Sequence, residues 1–163
     1  DQWAAFDGSV RVPDMTTTWY TTNDATLEIT GLQLELGPQA TPFEHRSYGE
    51  ELSLCQRYYY VHVDGDGQDI GVGAMYNSTL CAFSVKFPVS MRSAPSLDYV
   101  SSTDAYRIYR TGASDQFTSM GIVRAQVNSA AIDTTTGTSG TEGVGCVLST
   151  ATSSGYIAFS SEL

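Results

Sequence analysis

Apolar residues recur at every second position along most of this chain, and rarely at helical spacing. "TTTWYT" (16–21) and "ATLEITGLQLEL" (25–36) open the pattern as predicted strands. In the second, Leu27 and Ile29 share one face; after Gly31 the phase slips, and Leu32, Leu34 and Leu36 share a face. A one-residue slip at a glycine predicts a β-bulge. Two strands with little before them cannot close a core alone. Residues 1–43 are therefore expected to be the final strands of an upstream β-sandwich, or of one completed by neighbouring chains.

From Arg57 the text alternates strand and turn. "RYYYVHV" (57–63) leads through "DGDGQD" (64–69) to "IGVGAMY" (70–76). "TLCAFSVKF" (79–87), "SLDYV" (96–100), "AYRIYR" (105–110), "FTSMGIVRAQV" (117–127), "GVGCVLS" (143–149) and "GYIAFSSEL" (155–163) follow. About eight short strands at regular spacing predict an all-β fold, an antiparallel β-sandwich of jelly-roll type, over 57–163. The Ser/Thr/Gly-rich run 128–143 is expected to be a solvated loop, either a recognition loop or a plain connection.

One stretch breaks the alternation. Residues 44–56 are expected to form a neck with one short helix over 48–56. Ser47 can cap it, Glu50 completes a capping-box pattern, and Glu51 places a favourable charge in the first turn. Thr41-Pro42 keeps the chain extended before it.

Composition agrees with this picture. Hydrophobic residues make up 41% of the 163 and charged residues only 16%, enough apolar content for a packed core. A net charge of −10 disfavours binding to phosphate backbones, so no nucleic-acid partner is expected. Cys55, Cys81 and Cys146 fit neither a disulfide framework nor metal-ligand spacing, and read as three reduced, mostly buried thiols made in a cytosol. The start at Asp1, directly in strand-like sequence, is expected to mark a C-terminal piece of a longer polypeptide.

The densest chemistry lies in "ATPFEHRSYGEELSLCQRYYYV" (40–61). Catalysis by Glu44, His45, Glu50 and Glu51 needs groups held in differing environments, and an exposed helix start offers none. No enzyme is expected, although a glycoside hydrolase needs only two carboxylates and no sequence motif. For metal, the two histidines lie apart from the cysteines. Asp64, Asp66 and Asp69 begin like a calcium loop but lack its downstream glutamate. They are expected to form a hairpin turn, with an ion site as the weaker candidate. No cofactor is expected. The remaining reading is a joint: Phe43, Glu44, His45, Arg46, Glu50, Glu51 and Tyr58 form a collar whose charges pair between copies.

"ITGLQLELGPQATPFEHRSYGEELSLCQRYYY" (29–60) resembles a segment widespread in the C-terminal regions of tailed-bacteriophage tail fibres and related receptor-binding proteins. "KFPVSMRSAPSLDY" (86–99) and "GYIAFSSEL" (155–163) are similar to further landmarks of that group. The resemblance implies a homotrimeric fibre tip that binds a host bacterial surface polysaccharide or outer-membrane component. It implies assembly in the host cytoplasm and residence in the virion beside other tail proteins. Two other functions stand beside it: a purely structural trimerising fibre or baseplate module, and a polysaccharide depolymerase fragment.

For a glycan-binding surface the sequence nominates Tyr76, Tyr106, Arg107, Tyr109, Arg110 and Asp115. Aromatic faces and charged hydrogen-bonding groups are what sugars require. In a strand, Tyr106 and Arg110 share a face with Ile108, while Arg107 and Tyr109 share the other. The same tyrosines can instead pack a core with arginines stacked on them. Trp3 and Trp19 read as core or sugar platform of the upstream piece.

Overall fold

The computed structural model describes residues 26, 28–39 and 41–162. The expected strand at 16–21, Trp3 and Trp19 lie outside them. The chain divides into two compact units, Asp1–His45 and Arg46–Leu163.

In the first unit no described residue belongs to a strand. The strand expected over 25–36 is not formed among the described residues, where no second strand pairs with it. Leu32 is 82% exposed, and Leu34 and Leu36 are fully so. Gly31 takes φ +71, so the phase slip falls on the residue that tolerates a left-handed backbone. Order here is local. Glu35 accepts hydrogen bonds from the amide and the hydroxyl of Thr41, both at 2.6 Å, and Gln33 Oε1 accepts from the Glu44 amide at 2.9 Å. The Thr41 hydroxyl, then its amide, hold the Glu35 carboxyl below the usual carboxylate range.

The second unit begins with α1 (Tyr48–Gln56), over the residues the sequence predicts. Ser47 is extended at φ −70, ψ 150, and its hydroxyl accepts from the Glu50 amide at 3.3 Å. Arg46 pairs with Glu51 at 3.1 Å. No residue of α1 is buried.

Ten strands follow: β1 (Tyr59–Asp64), β2 (Asp69–Met75), β3 (Cys81–Lys86), β4 (Ser96–Tyr99), β5 (Tyr106–Arg110), β6 (Ala113–Phe117), β7 (Ser119–Gln126), β8 (Ser129–Thr136), β9 (Gly145–Thr150) and β10 (Tyr156–Ser160). All pairings are antiparallel. A small sheet runs β1-β10-β4 and a large one β6-β5-β9-β2-β3-β8-β7.

The large sheet is curled by its own connectivity. β6 and β7 are its opposite edges, yet only Thr118 separates them in the chain. Seven flat strands would be about 29 Å across at ~4.8 Å per strand. A single linking residue spans less than about 8 Å. The edges therefore meet at one corner, and the sheet closes into a half-barrel. There the position of a Cβ on Gly137, just past β8, would lie 2.7 Å from the Gln116 carbonyl of β6. Gly137 has φ +88 and lacks that atom.

The inner faces of both sheets fill one core. Ile70, Met75, Phe83, Ile108, Phe117, Ile132 and Leu148 come from the large sheet, and Val63, Ile157 and Phe159 from the small one. Beneath the small sheet, Tyr60, Phe87 and Phe159 pack ring on ring, with Phe87 and Phe159 centroids 4.9 Å apart.

Three expectations change. Residues 128–143 are not simply a loop: β8 occupies 129–136, with Ala130, Ile132 and Thr134 buried on alternate positions. The run expected as one strand over 117–127 is two, broken at Thr118. "DGDGQD" does not close a hairpin, because β1 pairs with β10 while β2 pairs with β3 and β9. It is the corner where the chain passes between sheets, with Gly65 at φ +102 and Gly67 at φ +65.

The thiols also divide unevenly. Cys81 and Cys146 are buried, but Cys55, expected among mostly buried thiols, is exposed on α1. Burial, and then the neighbouring Cys146, push the Cys81 thiol up to about 12. Burial likewise pushes the Tyr106 hydroxyl up to about 12.

Three outcomes are expected. Native-state alkylation at pH 8 should label Cys55 and spare Cys81 and Cys146, as read by mass spectrometry. Gly73→Ala should cost about 2 kcal/mol in urea unfolding, since its Cβ would lie 2.4 Å from the Ala82 carbonyl oxygen. Cys81 and Tyr106 hold their protons more tightly folded than unfolded. Their stabilisation is complete below the ordinary thiol value of 9.0 and is lost as pH rises towards about 12. A circular-dichroism melt series should therefore show stability falling across that alkaline window.

Candidate functional site

Strand alternation decides which nominated residues can meet a ligand. On β5, Tyr106 and Ile108 point inward and are wholly buried. Tyr106 donates its hydroxyl to the Tyr156 carbonyl at 2.7 Å and stacks on Phe117 at 5.4 Å. It is a core residue, and its nomination as a receptor contact is withdrawn. Parity placed it correctly opposite Arg107 and Tyr109, but parity does not say which face is the core.

Arg110 follows Tyr106 inward, with 9% of its side chain exposed, and pairs with Asp115. Asp115 Oδ2 also accepts from the Ser139 amide at 2.8 Å and its hydroxyl at 3.0 Å. Gly140 closes over Arg110, where an added Cβ would meet Nη1 at 3.1 Å. Arg110 and Asp115 thus fasten the β8–β9 loop to the β5–β6 hairpin. The Arg110 Nε has no hydrogen-bond partner among the described residues.

Arg107, Tyr109 and Tyr76 remain on the outer surface. Arg107 Nη1 donates to the Tyr109 hydroxyl at 3.1 Å, and its guanidinium lies 5.8 Å from that ring's centroid. Tyr109 stands opposite Val147 of β9, which stands opposite Val72 of β2. Val72 is 74% exposed and Val147 45%. Further along the same face, Gly145 pairs with Ala74, and Ala74 with Ala82. These small side chains leave two adjoining depressions. One, of about 440 Å³, is lined by Val72, Tyr109, Thr111, Gly145 and Val147 among others. The other, of about 520 Å³, is lined by Ala74, Tyr76, Asn77, Ala82 and Glu142 among others.

Together they make a groove across β5, β9, β2 and β3. An exposed tyrosine stands at each end, and the floor is valine, alanine and glycine. Tyr109 and Tyr76 are two strands apart and about four residues along, roughly 16 Å. The floor residues were not nominated from sequence. The available signal was Gly145 and Ala74 on outward positions of predicted strands, where side chains are usually larger.

A second outward cluster was also missed. On the small sheet the Tyr59 hydroxyl meets Asp98 Oδ2 at 3.0 Å and the Tyr156 hydroxyl. The Tyr156 bond, then burial, then the Asp98 bond raise the Tyr59 hydroxyl well above its ordinary value. Its members are occupied by one another.

The collar residues fall as follows. Phe43 and His45 meet edge to face at 4.9 Å. Arg46 pairs within its own chain with Glu51, and Tyr58 lies under Arg92 at 5.8 Å. Glu50, Leu54, Arg57 and Met91 are among those lining a cavity of about 490 Å³ beside α1. Asp64, Asp66 and Asp69 are exposed. Among the described residues no group of three or more His, Cys, Asp or Glu side chains is placed to hold a metal ion. Compared with family models, curated proteins and solved structures, the chain matches none.

Asp115→Ala should strand the Arg110 charge and lower stability by about 3 kcal/mol in urea unfolding. Tyr109→Ala, on the outer face, should stay within about 1 kcal/mol of wild type in the same measurement.

Proposed function

We propose that this chain is the tip of a tailed-bacteriophage fibre, a homotrimer that binds a glycan on the host bacterium without chemical change to it. The observation that carries the reading is the fully exposed Leu34 and Leu36, with Leu32 beside them, on a segment that pairs with no strand among the described residues. Strand-like leucines left in water need a partner edge, and identical copies related by symmetry supply one. A nine-residue helix with no buried residue makes the same demand, since helices this short are marginal alone.

The groove supports the binding half of the proposal. Its two tyrosines offer flat apolar faces, and Thr111, Asn77 and Glu142 offer hydrogen bonds around them. Glu142 is the one carboxylate among the described residues that line it. Hydrolysis by paired carboxylates lacks its second group there. The jelly-roll description belongs to the same reading. It is supported by β1–β2, β3–β4, β4–β5 and β9–β10, each of which carries the chain from one sheet to the other.

Light scattering of the purified chain should give the mass of three copies. Leu34→Asp combined with Leu36→Asp should give the mass of one, with the β-domain's circular-dichroism spectrum retained. A monomeric wild type at micromolar concentration would overturn the trimer. The trimer should block adsorption of the phage to its host, and Tyr109→Ala should reduce that block.

A further inference from the structure

Beside the groove stands a charged group of a kind that a neutral sugar does not use. Arg107 stands just beyond Tyr109 on the outer face, in a protein whose acidic residues outnumber its lysines and arginines by 18 to 8. A guanidinium carries five N–H donors and no acceptor. One of Arg107's donors is spent on the Tyr109 hydroxyl, and among the described residues it forms no ion pair. The carboxylate registered nearest on that face is Asp69. It faces Ser149, which in turn faces Arg107, two strand spacings or about 10 Å away. Asp66, in the corner between β1 and β2, also acts on the Arg107 charge, as the smallest of the four influences on it. Arg110, the neighbouring cation, lines the same groove with 9% of its side chain exposed, but it is committed to Asp115.

The guanidinium is also held in place. Its Nη1 is held by the Tyr109 hydroxyl and the Tyr109 ring lies beneath it, while the fork of Nε and Nη2 makes no hydrogen bond among the described residues. A fork of that shape matches a carboxylate or a phosphate through two parallel hydrogen bonds. The net negative charge of the domain does not cancel this, because exposed charges more than about 8 Å away are largely screened at physiological salt.

We infer that the groove takes a saccharide bearing an anionic group, carboxylate or phosphate, with a sugar ring against Tyr109 and the anion on the free fork of Arg107. This rests on the glycan-binding reading above and adds the class of sugar.

Isothermal titration of the full chain tests it. The probes are a panel of oligosaccharides carrying hexuronate, sialate or phosphomonoester groups, each beside its neutral counterpart. An anionic member should bind about 10- to 100-fold tighter than its neutral partner, and the preference should shrink as salt rises. Arg107→Gln should bring the anionic member down to the affinity of its neutral partner. Arg107→Lys should recover only part of it, and Tyr109→Ala should weaken both members of the pair. Carboxylated and phosphorylated members compared with each other name the anion. Equal binding of anionic and neutral members, or a preference that survives Arg107→Gln, overturns the inference and leaves the glycan reading standing. Binding of no member by a correctly folded wild type overturns both.

Discussion

β6 and β7 lie at opposite edges of one seven-stranded sheet and are joined through Thr118 alone. That constraint governs much of what surrounds it. A sheet whose edges must meet at a corner cannot stay flat, so its inner face becomes concave and has to be filled. Phe83, Ile108, Phe117, Ile132 and Leu148 fill it from within, and the small sheet closes the remaining side with Ile157 and Phe159. Where the edges meet, only glycine fits at 137, and Thr118 accepts a long hydrogen bond from the Asp104 amide.

The curl also shapes the outside. Large residues are drawn inward, and the outer positions of β9, β2 and β3 are left with Gly145, Ala74 and Ala82. A groove bounded by tyrosines follows from that division of sizes. The Arg110–Asp115 pair lies at its edge: Arg110 is among the residues lining the depression beside Tyr109, with 9% of its side chain exposed. The pair is built from the same β5 strand that presents Tyr109, so the strand's inner residues hold the loop while its outer residues face the solvent. A largely buried guanidinium is costly to strand by removing its partner, which makes the pair a fixed support for the outer face.

Much of this was legible in the sequence. α1 could be read because Ser47 and Glu50 form a local cap that needs no tertiary partner. Most strands could be read because alternation is local too. What could not be read depends on contacts far apart in the chain. β8 was taken for a loop because Ala and Thr carry little hydrophobic signal, although Ala130, Ile132 and Thr134 keep a period of two. "DGDGQD" announced a turn, but nothing local says whether the strands it joins pair with each other. The face of β5 that turns inward depends on β9 and β6 beside it, so Tyr106 passed for a ligand contact. The leucines of 32–36 carry a strand pattern, but no strand among the described residues pairs with them.

The loop between β8 and β9 is tethered at Ser139 and Gly140, while Glu142 two residues on reaches the groove. The loop's anchor and its working tip are thus separate residues. A substitution at Glu142 can therefore change the lining of the groove without touching the contacts that fasten the loop.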